Sequence, residues 1–229
     1  MNTHTLKWFI SLSLLAAALT HAGETNHNFA RWEKEIAAFE RMDATNPPPK
    51  GAVLFVGSST IRGWRTLATD FPTQRVLNRG FGGSQIVDAT HFADRIIFPY
   101  APRAIFFRSG GNDLAAGKTP EQVFADYQAF VAKVHATLPE TEITFLSWSP
   151  TPLRWKQREQ EKTLNTLVRE FSRSQPRLKY IECYDLTLGP DGQPRAELFL
   201  NDKLHFNAAG YKLLAETVRP HLPPAETAK

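Results

Sequence analysis

The chain has 229 residues, of which 42% are hydrophobic and 11% aromatic, so it can bury the core of one α/β domain and is not an intrinsically disordered chain. Its formal charge is only +4, and the basic residues are scattered rather than gathered into a stripe, so no nucleic-acid partner is predicted. The single cysteine, Cys183, cannot form an intramolecular disulfide, and its strand-like surroundings predict an inert, buried side chain.

Residues 1–22 have the pattern of a signal peptide. Lys7 is their only charged residue, and residues 8–19 are apolar apart from two serines, with the small residue Ala22 at the expected cleavage point. The apolar run is too short, and too soon followed by polar sequence, for a stable membrane span; an uncleaved anchor is the alternative. We therefore predict cleavage near Ala22, export to the periplasm or beyond, no stable membrane insertion afterwards, and one mature domain over residues 23–229.

Apolar periodicity then predicts alternating strands and helices. An amphipathic helix over residues 28–44 ends before three prolines, and Thr119 and Asn207 are predicted N-caps of later helices. The alternation is typical of an α/β fold, so we predict a three-layer α/β/α sandwich with a five-stranded parallel sheet of flavodoxin-like type. Strands are expected at residues 52–56, 75–78, 104–107, 143–146 and 180–184, and the remaining helical segments at 61–64, 86–98, 120–138, 157–174 and 208–222.

Polar residues and glycines follow the predicted strands at the edge where parallel strands end. In an open α/β sheet, ligands bind beyond the carboxyl ends of the strands, so these residues are candidates for a functional site. Each has a simpler interpretation on its own: a serine can cap a helix, a glycine can serve a turn, and an aspartate or histidine can be a solvated surface residue. The residue types found there are those used in acyl transfer: Ser58, Ser59, Gly83, Asn112, Asp202 and His205.

Acyl transfer needs these residue types for physical reasons. A serine hydroxyl is a weak nucleophile until a base takes its proton, and a histidine such as His205 can act as that base. The histidine needs a carboxylate, here Asp202, to fix its tautomer and to stabilise the imidazolium that forms. The oxyanion of the tetrahedral intermediate needs donors, which a helix-start backbone N–H, the N–H of Gly83 and the amide of Asn112 can supply. The pattern alone leaves two adjacent serines as alternative nucleophiles.

Four segments, in the same order along the chain, resemble the sequence blocks of the SGNH hydrolases, also called the GDSL esterase/lipase family. The chain departs from the usual pattern of that family at Ser58 and Thr60, where an aspartate and a leucine are common, and at Ser84, where an aspartate often occurs. The four segments are GSST at 57–60, NRGFGGS at 78–84, GGND at 110–113 and DKLH at 202–205.

The resemblance implies an SGNH hydrolase fold and an ester-hydrolysing activity that uses neither metal nor cofactor. It places the nucleophile on Ser59 and the other two members of the triad on Asp202 and His205. It assigns the oxyanion hole to Ser59, Gly83 and Asn112. A metal-dependent hydrolase is not indicated by the residues themselves, because no cluster of histidine, cysteine or carboxylate residues has ligand spacing.

The resemblance limits the substrate to an acyl ester, of a small molecule or of a carbohydrate. We expect a short acyl group such as acetyl, because no long insertion is present that could form the lid of a lipase. The alternatives are a lysophospholipase- or thioesterase-type hydrolase, and a non-catalytic secreted module of the same fold that binds carbohydrate or lipid. Core packing is the alternative role for Trp148 and Trp155. Residues near the predicted rim that could contact substrate are Arg62, Trp64, Arg108, Trp148, Arg154 and Trp155.

Overall fold

Five short strands form one parallel sheet in the computed structural model, which describes residues 27–225. The strands are β1 Val53–Gly57, β2 Val76–Gly80, β3 Ala104–Arg108, β4 Glu142–Leu146 and β5 Leu178–Ile181. Their spatial order is β2-β1-β3-β4-β5, so the direction of strand addition reverses beside β1, as in flavodoxin-like doubly wound folds. The predicted five-stranded parallel sheet is confirmed. The predicted signal peptide lies outside the described residues, so its cleavage and the export of the chain stay predictions.

Helices cover both faces of the sheet. They are α1 Glu33–Thr45, α2 Ser59–Gly63, α3 Leu67–Asp70, α4 Ile86–His91, α5 Ala93–Ile96, α6 Gly111–Ala115, α7 Pro120–Thr137, α8 Arg158–Ser174 and α9 Ala208–Val218. One core contains buried side chains of α1, α4, α5, α7 and α8, and the other contains those of α2, α3 and α9, which makes the three-layer sandwich. Within the part of the chain that the structure describes, no helix is long and apolar enough to cross a membrane.

The side chains of β1 show how the sequence produces these layers. Successive side chains of a strand point to opposite faces, and accordingly Val53 and Phe55 pack into one core while Leu54 and Val56 pack into the other. All four side chains are fully buried because helices cover both faces of the sheet. A central parallel strand therefore requires an uninterrupted apolar run, which is the pattern found here.

Both predicted N-caps are confirmed. The Thr119 hydroxyl accepts a hydrogen bond from the N–H of Gln122 (3.3 Å), and the Gln122 side-chain oxygen accepts one from the N–H of Thr119 (2.9 Å). The Asn207 side-chain oxygen accepts hydrogen bonds from the N–H groups of Ala209 and Gly210. These side chains satisfy backbone donors that have no partner within the first turn of a helix, so α7 and α9 begin where the sequence indicates.

The prediction of a single helix over residues 86–98 is wrong. The segment is divided into α4, α5 and a 3₁₀ turn, because the backbone leaves helical geometry at Phe92 (ψ 7°) and again at Ile97 (φ −128°). Pro99 accounts for the second break, since a proline has no N–H to donate to the carbonyl of Arg95, four residues earlier, and its ring crowds that carbonyl. No feature of the sequence marks the first break.

The predicted position of the fifth strand is also shifted. The strand was expected over residues 180–184, but it ends at Ile181, where the chain leaves the ladder. Beyond that point the N–H of Cys183 donates to the hydroxyl of Ser147 at 2.6 Å instead of to a strand neighbour. Cys183 is buried, as predicted, and burial raises the pKa of its thiol to about 11.

At the end of β1 the backbone is packed so closely that position 57 has no room for a side chain. Gly57 has a φ of +153°, and a Cβ on this residue would lie 2.1 Å from the carbonyl oxygen of Arg108 at the end of β3. The same carbonyl accepts a hydrogen bond from the N–H of Ser58, and the carbonyl of Gly57 accepts one from Phe81 beyond the end of β2. Three strand ends are thereby fixed against each other by backbone contacts alone.

We expect Gly57→Ala to destabilise the protein much more than Gly117→Ala. Both glycines have a positive φ (+153° and +93°), so both substitutions introduce backbone strain on the order of 1–3 kcal/mol. At Gly117 no described atom lies within 4 Å of a new Cβ, whereas at Gly57 the backbone of Arg108 blocks it. The free energy of unfolding in urea should fall by at least about 3 kcal/mol for Gly57→Ala and by clearly less for Gly117→Ala. Equal losses would contradict the crowded contact.

Candidate active site

Ser58 and Ser59 differ in their access to solvent. Ser58 is the residue before α2 and is only 2% exposed, whereas Ser59 is the first residue of α2 and is partly exposed. The N–H of Arg62 donates to the carbonyl of Ser58 at 3.0 Å, which closes the first turn of the helix. Of the two serines that the sequence pattern left open, Ser59 is therefore the more accessible to solvent.

The short helix α2 is fixed to its neighbours through its carbonyl groups. The Asn78 side chain of β2 donates to the carbonyl of Ile61 at 2.6 Å, and the Tyr211 hydroxyl of α9 donates to the carbonyl of Thr60 at 3.0 Å. A five-residue helix forms few internal hydrogen bonds, and these two side chains add to them; the carbonyl of Ile61 also accepts a hydrogen bond from the N–H of Trp64. They also connect the residue that follows β1 with the segment that carries Asp202 and His205, because that segment leads directly into α9.

Hydrogen bonds join Asp202 and His205 within one short turn of the chain. Asp202 Oδ1 accepts hydrogen bonds from the N–H groups of Leu204 (2.9 Å) and His205 (3.0 Å), and Asp202 Oδ2 lies 2.7 Å from His205 Nδ1. Lys203 has a φ of +58°, which turns the chain back on itself between the two side chains. The carboxylate makes Nδ1 the protonated nitrogen of the ring and leaves Nε2 as the acceptor.

The hydrogen bonds of this turn also determine the charge of Asp202. The backbone N–H of His205, followed by its ring, lowers the pKa of Asp202 to about 2. The carboxylate therefore stays ionised throughout the pH range in which a histidine can act as a base. Within residues 27–225 no hydrogen bond joins the Ser59 hydroxyl to His205, so the connection between them runs through α2, Tyr211 and the start of α9.

The candidate oxyanion donors lie beside each other. Asn112 belongs to α6, which the chain enters through Gly110 at a φ of +119°. The Asn112 side-chain nitrogen donates to the carbonyl of Ser84 at 3.0 Å, and Ser84 follows the exposed Gly83 (φ +80°). The structure thus brings together the segments after β2 and β3, although 28 residues separate Asn112 from its partner. The guanidinium of Arg154 donates to the Asn112 side-chain oxygen.

Trp64 and Arg108 were expected to be available for contact with a substrate, but both side chains are buried. Trp64 is 1% exposed and packs in the core against Phe55, with ring centroids 5.5 Å apart. Arg108 is 2% exposed and points its guanidinium at the loop after β4, where it donates to the carbonyl of Ser147 and to the hydroxyl of Ser149 (2.9 Å). The sequence placed both residues near the rim, but the packing of the core holds them beneath it.

The other candidate substrate contacts are divided between core and surface. Trp148 is 8% exposed, its indole N–H donates to the carbonyl of Ser109 at 2.8 Å, and its ring lies 4.8 Å from the Arg108 guanidinium. Core packing, the alternative for Trp148, is therefore its observed role. Arg62 is exposed, and Trp155 is half-buried beside the guanidinium of Arg158. These two remain available to a substrate.

Buried carboxylates that the sequence did not single out lie close to the rim. Asp113, next to Asn112, is fully buried, accepts a hydrogen bond from the N–H of Ile86 at 3.2 Å and lies 3.6 Å from Lys118 Nζ. Glu161 of α8 is 1% exposed, and burial raises the pKa of its carboxyl to about 7. No group of three histidine, cysteine or carboxylate residues in the described part of the chain is arranged to hold a metal ion.

The fold and the arrangement of Ser59, Asn112, Asp202 and His205 are compatible with a hydrolase, and a comparison with known sequence families shows which family the chain belongs to. The sequence profile of the GDSL-like Lipase/Acylhydrolase family matches residues 44–213, which include all four sequence blocks. The chain belongs to this family. Comparison with curated proteins finds no match.

Solved structures share the fold at low sequence identity. A Streptococcus pneumoniae protein named as a platelet activating factor has a TM-score of 0.74 at 21% identity, with 84% of this chain and 94% of that chain covered. A GDSL-like lipase from Bacteroides thetaiotaomicron has a TM-score of 0.66 at 17% identity, with 85% and 96% covered. A variant of a Geobacillus acetyl-xylooligosaccharide esterase has a TM-score of 0.58 at 14% identity, with 80% and 99% covered.

We expect Asp113→Asn to change how stability depends on pH. Burial raises the pKa of Asp113 from 3.8 to about 6, so between these values the unfolded chain gives up the proton before the folded protein does. Ionisation then favours unfolding, and the wild type should lose roughly 2–3 kcal/mol of stability as pH rises from below 4 to above 6. Asparagine cannot ionise, so the variant should lack this loss. Urea unfolding at pH 4, 5, 6 and 7 measures the difference, and parallel curves for the two proteins would contradict it.

Proposed function

We propose that the protein is a serine esterase that hydrolyses carboxylic esters through Ser59, His205 and Asp202. The observation that carries this proposal is the 2.7 Å contact between Asp202 Oδ2 and His205 Nδ1, which orients Nε2 as a proton acceptor. Membership of the GDSL-like Lipase/Acylhydrolase family supports ester hydrolysis as the reaction. The partial exposure of Ser59 supports this serine, rather than its buried neighbour, as the nucleophile.

The reaction follows from the roles of these groups. His205 Nε2 takes the proton of the Ser59 hydroxyl as its oxygen attacks the ester carbonyl, and Asp202 stabilises the imidazolium that forms. The negative oxygen of the tetrahedral intermediate accepts hydrogen bonds from the backbone N–H groups of Ser59 and Gly83 and from the Asn112 amide. Collapse of the intermediate expels the alcohol, which takes the proton from His205. Water then attacks the acyl-enzyme with His205 again as base, which releases the acid and restores the serine.

The preferred substrate is a short acyl ester of a polar alcohol such as a sugar. The side chains of His205 and Asp202 are 35% and 47% exposed, so the proposed catalytic unit faces solvent rather than an enclosed apolar channel. An open site suits an acetyl group on a bulky, hydrated alcohol, because little apolar surface is available to bury a long chain. The fold shared with an acetyl-xylooligosaccharide esterase is compatible with this choice.

A second candidate is an acyl hydrolase for longer chains, of lysophospholipase or thioesterase type. Leu153 and Leu200 are 60% and 50% exposed, although most large apolar side chains are buried. The N–H of Leu153 donates to the carbonyl of Lys203 at 3.0 Å, so both leucines lie on segments that adjoin the turn from Asp202 to His205. Exposed leucines at this position favour contact with an apolar chain.

Turnover of three esters by the purified protein tests these alternatives: p-nitrophenyl acetate, p-nitrophenyl decanoate and an acetylated xylo-oligosaccharide. We expect hydrolysis of both acetyl esters and a kcat/KM for decanoate that is at least about tenfold lower than for acetate. A preference for decanoate would support the second candidate. Absence of turnover on every ester would contradict an esterase and favour a binding module of the same fold.

We expect a fluorophosphonate to label Ser59 and not Ser58. A fluorophosphonate forms a covalent bond to a serine activated by a neighbouring base, and only Ser59 is accessible. Mass spectrometry of the labelled peptide should place the adduct on Ser59, Ser59→Ala should remove labelling, and the matched Ser58→Ala should keep it. A chelator should leave the rate unchanged, because no step uses a cation. Labelling at Ser58, or loss of activity with chelator, would contradict the mechanism.

Single substitutions should reduce kcat to different degrees. In another serine hydrolase, loss of the nucleophile or the base costs about a millionfold, so we expect a loss of this order for Ser59→Ala and His205→Ala. Asp202→Asn should cost roughly ten-thousandfold, because the histidine loses the group that fixes its tautomer. Asn112→Ala should cost roughly a hundred- to a thousandfold with little change in KM. Steady-state kinetics on p-nitrophenyl acetate measure the order, and a neutral Asn112→Ala would contradict the proposed oxyanion hole.

A further inference from the structure

Arg154 makes two hydrogen bonds to successive residues at the start of α6. Its Nη1 donates to the carbonyl of Gly111, and its Nη2 donates to the side-chain oxygen of Asn112, both at 3.0 Å. A guanidinium is planar and presents its donors as a rigid fork, so two such bonds fix both the distance and the orientation of the acceptors. Arg154 is half-buried in the loop between β4 and α8 and lies 42 residues from Asn112 in the sequence.

The partners of the Asn112 amide permit one orientation. Its oxygen faces the Arg154 guanidinium, which can only donate, and its nitrogen faces the carbonyl of Ser84, which can only accept. A rotated amide would place donor against donor and acceptor against acceptor. Among residues 27–225 the second hydrogen of the nitrogen has no acceptor, so it can donate a hydrogen bond to an oxyanion. Without Arg154 only the bond to Ser84 would hold the amide.

Neighbouring contacts hold the Arg154 loop against α6 and against the turn that carries His205. Gln157 donates to the carbonyl of Gly111 at 3.1 Å and to the buried Glu161 at 3.4 Å. On the other side, the N–H of Leu153 donates to the carbonyl of Lys203. The loop therefore connects the two halves of the proposed site, and Arg154 is the side chain within it that reaches the Asn112 amide.

The geometry points to Arg154 as a positioning residue for the oxyanion hole: it keeps the Asn112 amide nitrogen turned toward the reacting carbonyl oxygen. This role rests on the proposed esterase function. The proposed role requires no contact between the guanidinium and the substrate, so the loss of Arg154 should lower kcat through Asn112 and leave KM nearly unchanged. The effect should be smaller than that of removing Asn112, because the bond to Ser84 remains.

A double-mutant cycle between Arg154→Met and Asn112→Ala tests this role on p-nitrophenyl acetate. We expect Arg154→Met to lower kcat about ten- to fiftyfold in the wild-type background, with a change in KM of less than about twofold. In the Asn112→Ala background the same substitution should change kcat by less than about twofold, since the amide that it orients is gone. Arg154→Lys retains one donor and should give an intermediate loss.

Arg158→Met is the matched control. Arg158 lies four residues after Arg154, is 4.6 Å from the Trp155 ring centroid and donates to the Trp155 carbonyl, but it makes no hydrogen bond to α6 within the described residues. Its substitution should leave kcat unchanged. If Arg154→Met unfolds the protein, as judged by its thermal melting, the cycle is run with Arg154→Lys instead.

Two results would overturn the inference: an unchanged kcat in the Arg154 variant, or an equal loss in both backgrounds, which would mean that Arg154 acts otherwise than through the amide. These results are distinct from failure of the proposed function. If the wild-type protein turns over no ester, the proposed function is contradicted. If the wild type is active and Asn112→Ala lowers kcat but Arg154→Met does not, only the positioning role of Arg154 is contradicted.

Discussion

The contact between Gly57 and the carbonyl of Arg108 is the constraint on which the site depends. Because no Cβ fits between them, the ends of β1 and β3 approach through backbone atoms, and the residues that follow each strand begin close together. The strand order reverses at this point, and an open α/β sheet leaves a crevice for ligands where its order reverses. Ser59 follows one of these strands and Asn112 follows the other. The sheet therefore brings together the segments that carry the proposed nucleophile and the proposed oxyanion donor through its backbone contacts.

Beneath this rim one charged side chain, Arg108, is buried within the apolar interior. Arg108 uses its guanidinium to fix the loop after β4, through the carbonyl of Ser147 and the hydroxyl of Ser149, and the same loop supplies Arg154. Buried charges are weak contributors to stability, because desolvation offsets much of their mutual attraction. The effect of Arg108 here is geometric, since its hydrogen bonds hold the loop after β4 against the end of β3. Hydrogen bonds thus connect the end of β3 to the loop after β4 through Arg108, and this loop to the Asn112 amide through Arg154.

The sequence predicted the fold because its strands and caps have local signals. The apolar run of β1 and the capping box at Thr119 each depend on neighbouring residues, and both occur as expected. The break at Phe92 has no such signal in the sequence, and the Phe92 side chain is buried in the core. Burial was predicted least well: Trp64 and Arg108 lie beside the rim in sequence, yet Trp64 packs against Tyr211 of α9 and Arg108 is held by the loop after β4, both distant in sequence. The role of Arg154 was missed for the same reason, since its partner Asn112 lies 42 residues away.

The two halves of the proposed site consequently differ in how they are maintained. Asp202 and His205 are three residues apart and are joined by both side-chain and backbone hydrogen bonds, so their geometry is a property of one short turn. The Asn112 amide instead depends on partners 28 and 42 residues away, each held in place by a different strand connection. Displacement of the loop after β4 would leave the amide held by its bond to Ser84 alone and would break the bond from Leu153 to the carbonyl of Lys203, but it would not remove the hydrogen bonds between Asp202 and His205. Loss of loop packing should therefore reduce stabilisation of the transition state before it affects proton transfer by His205.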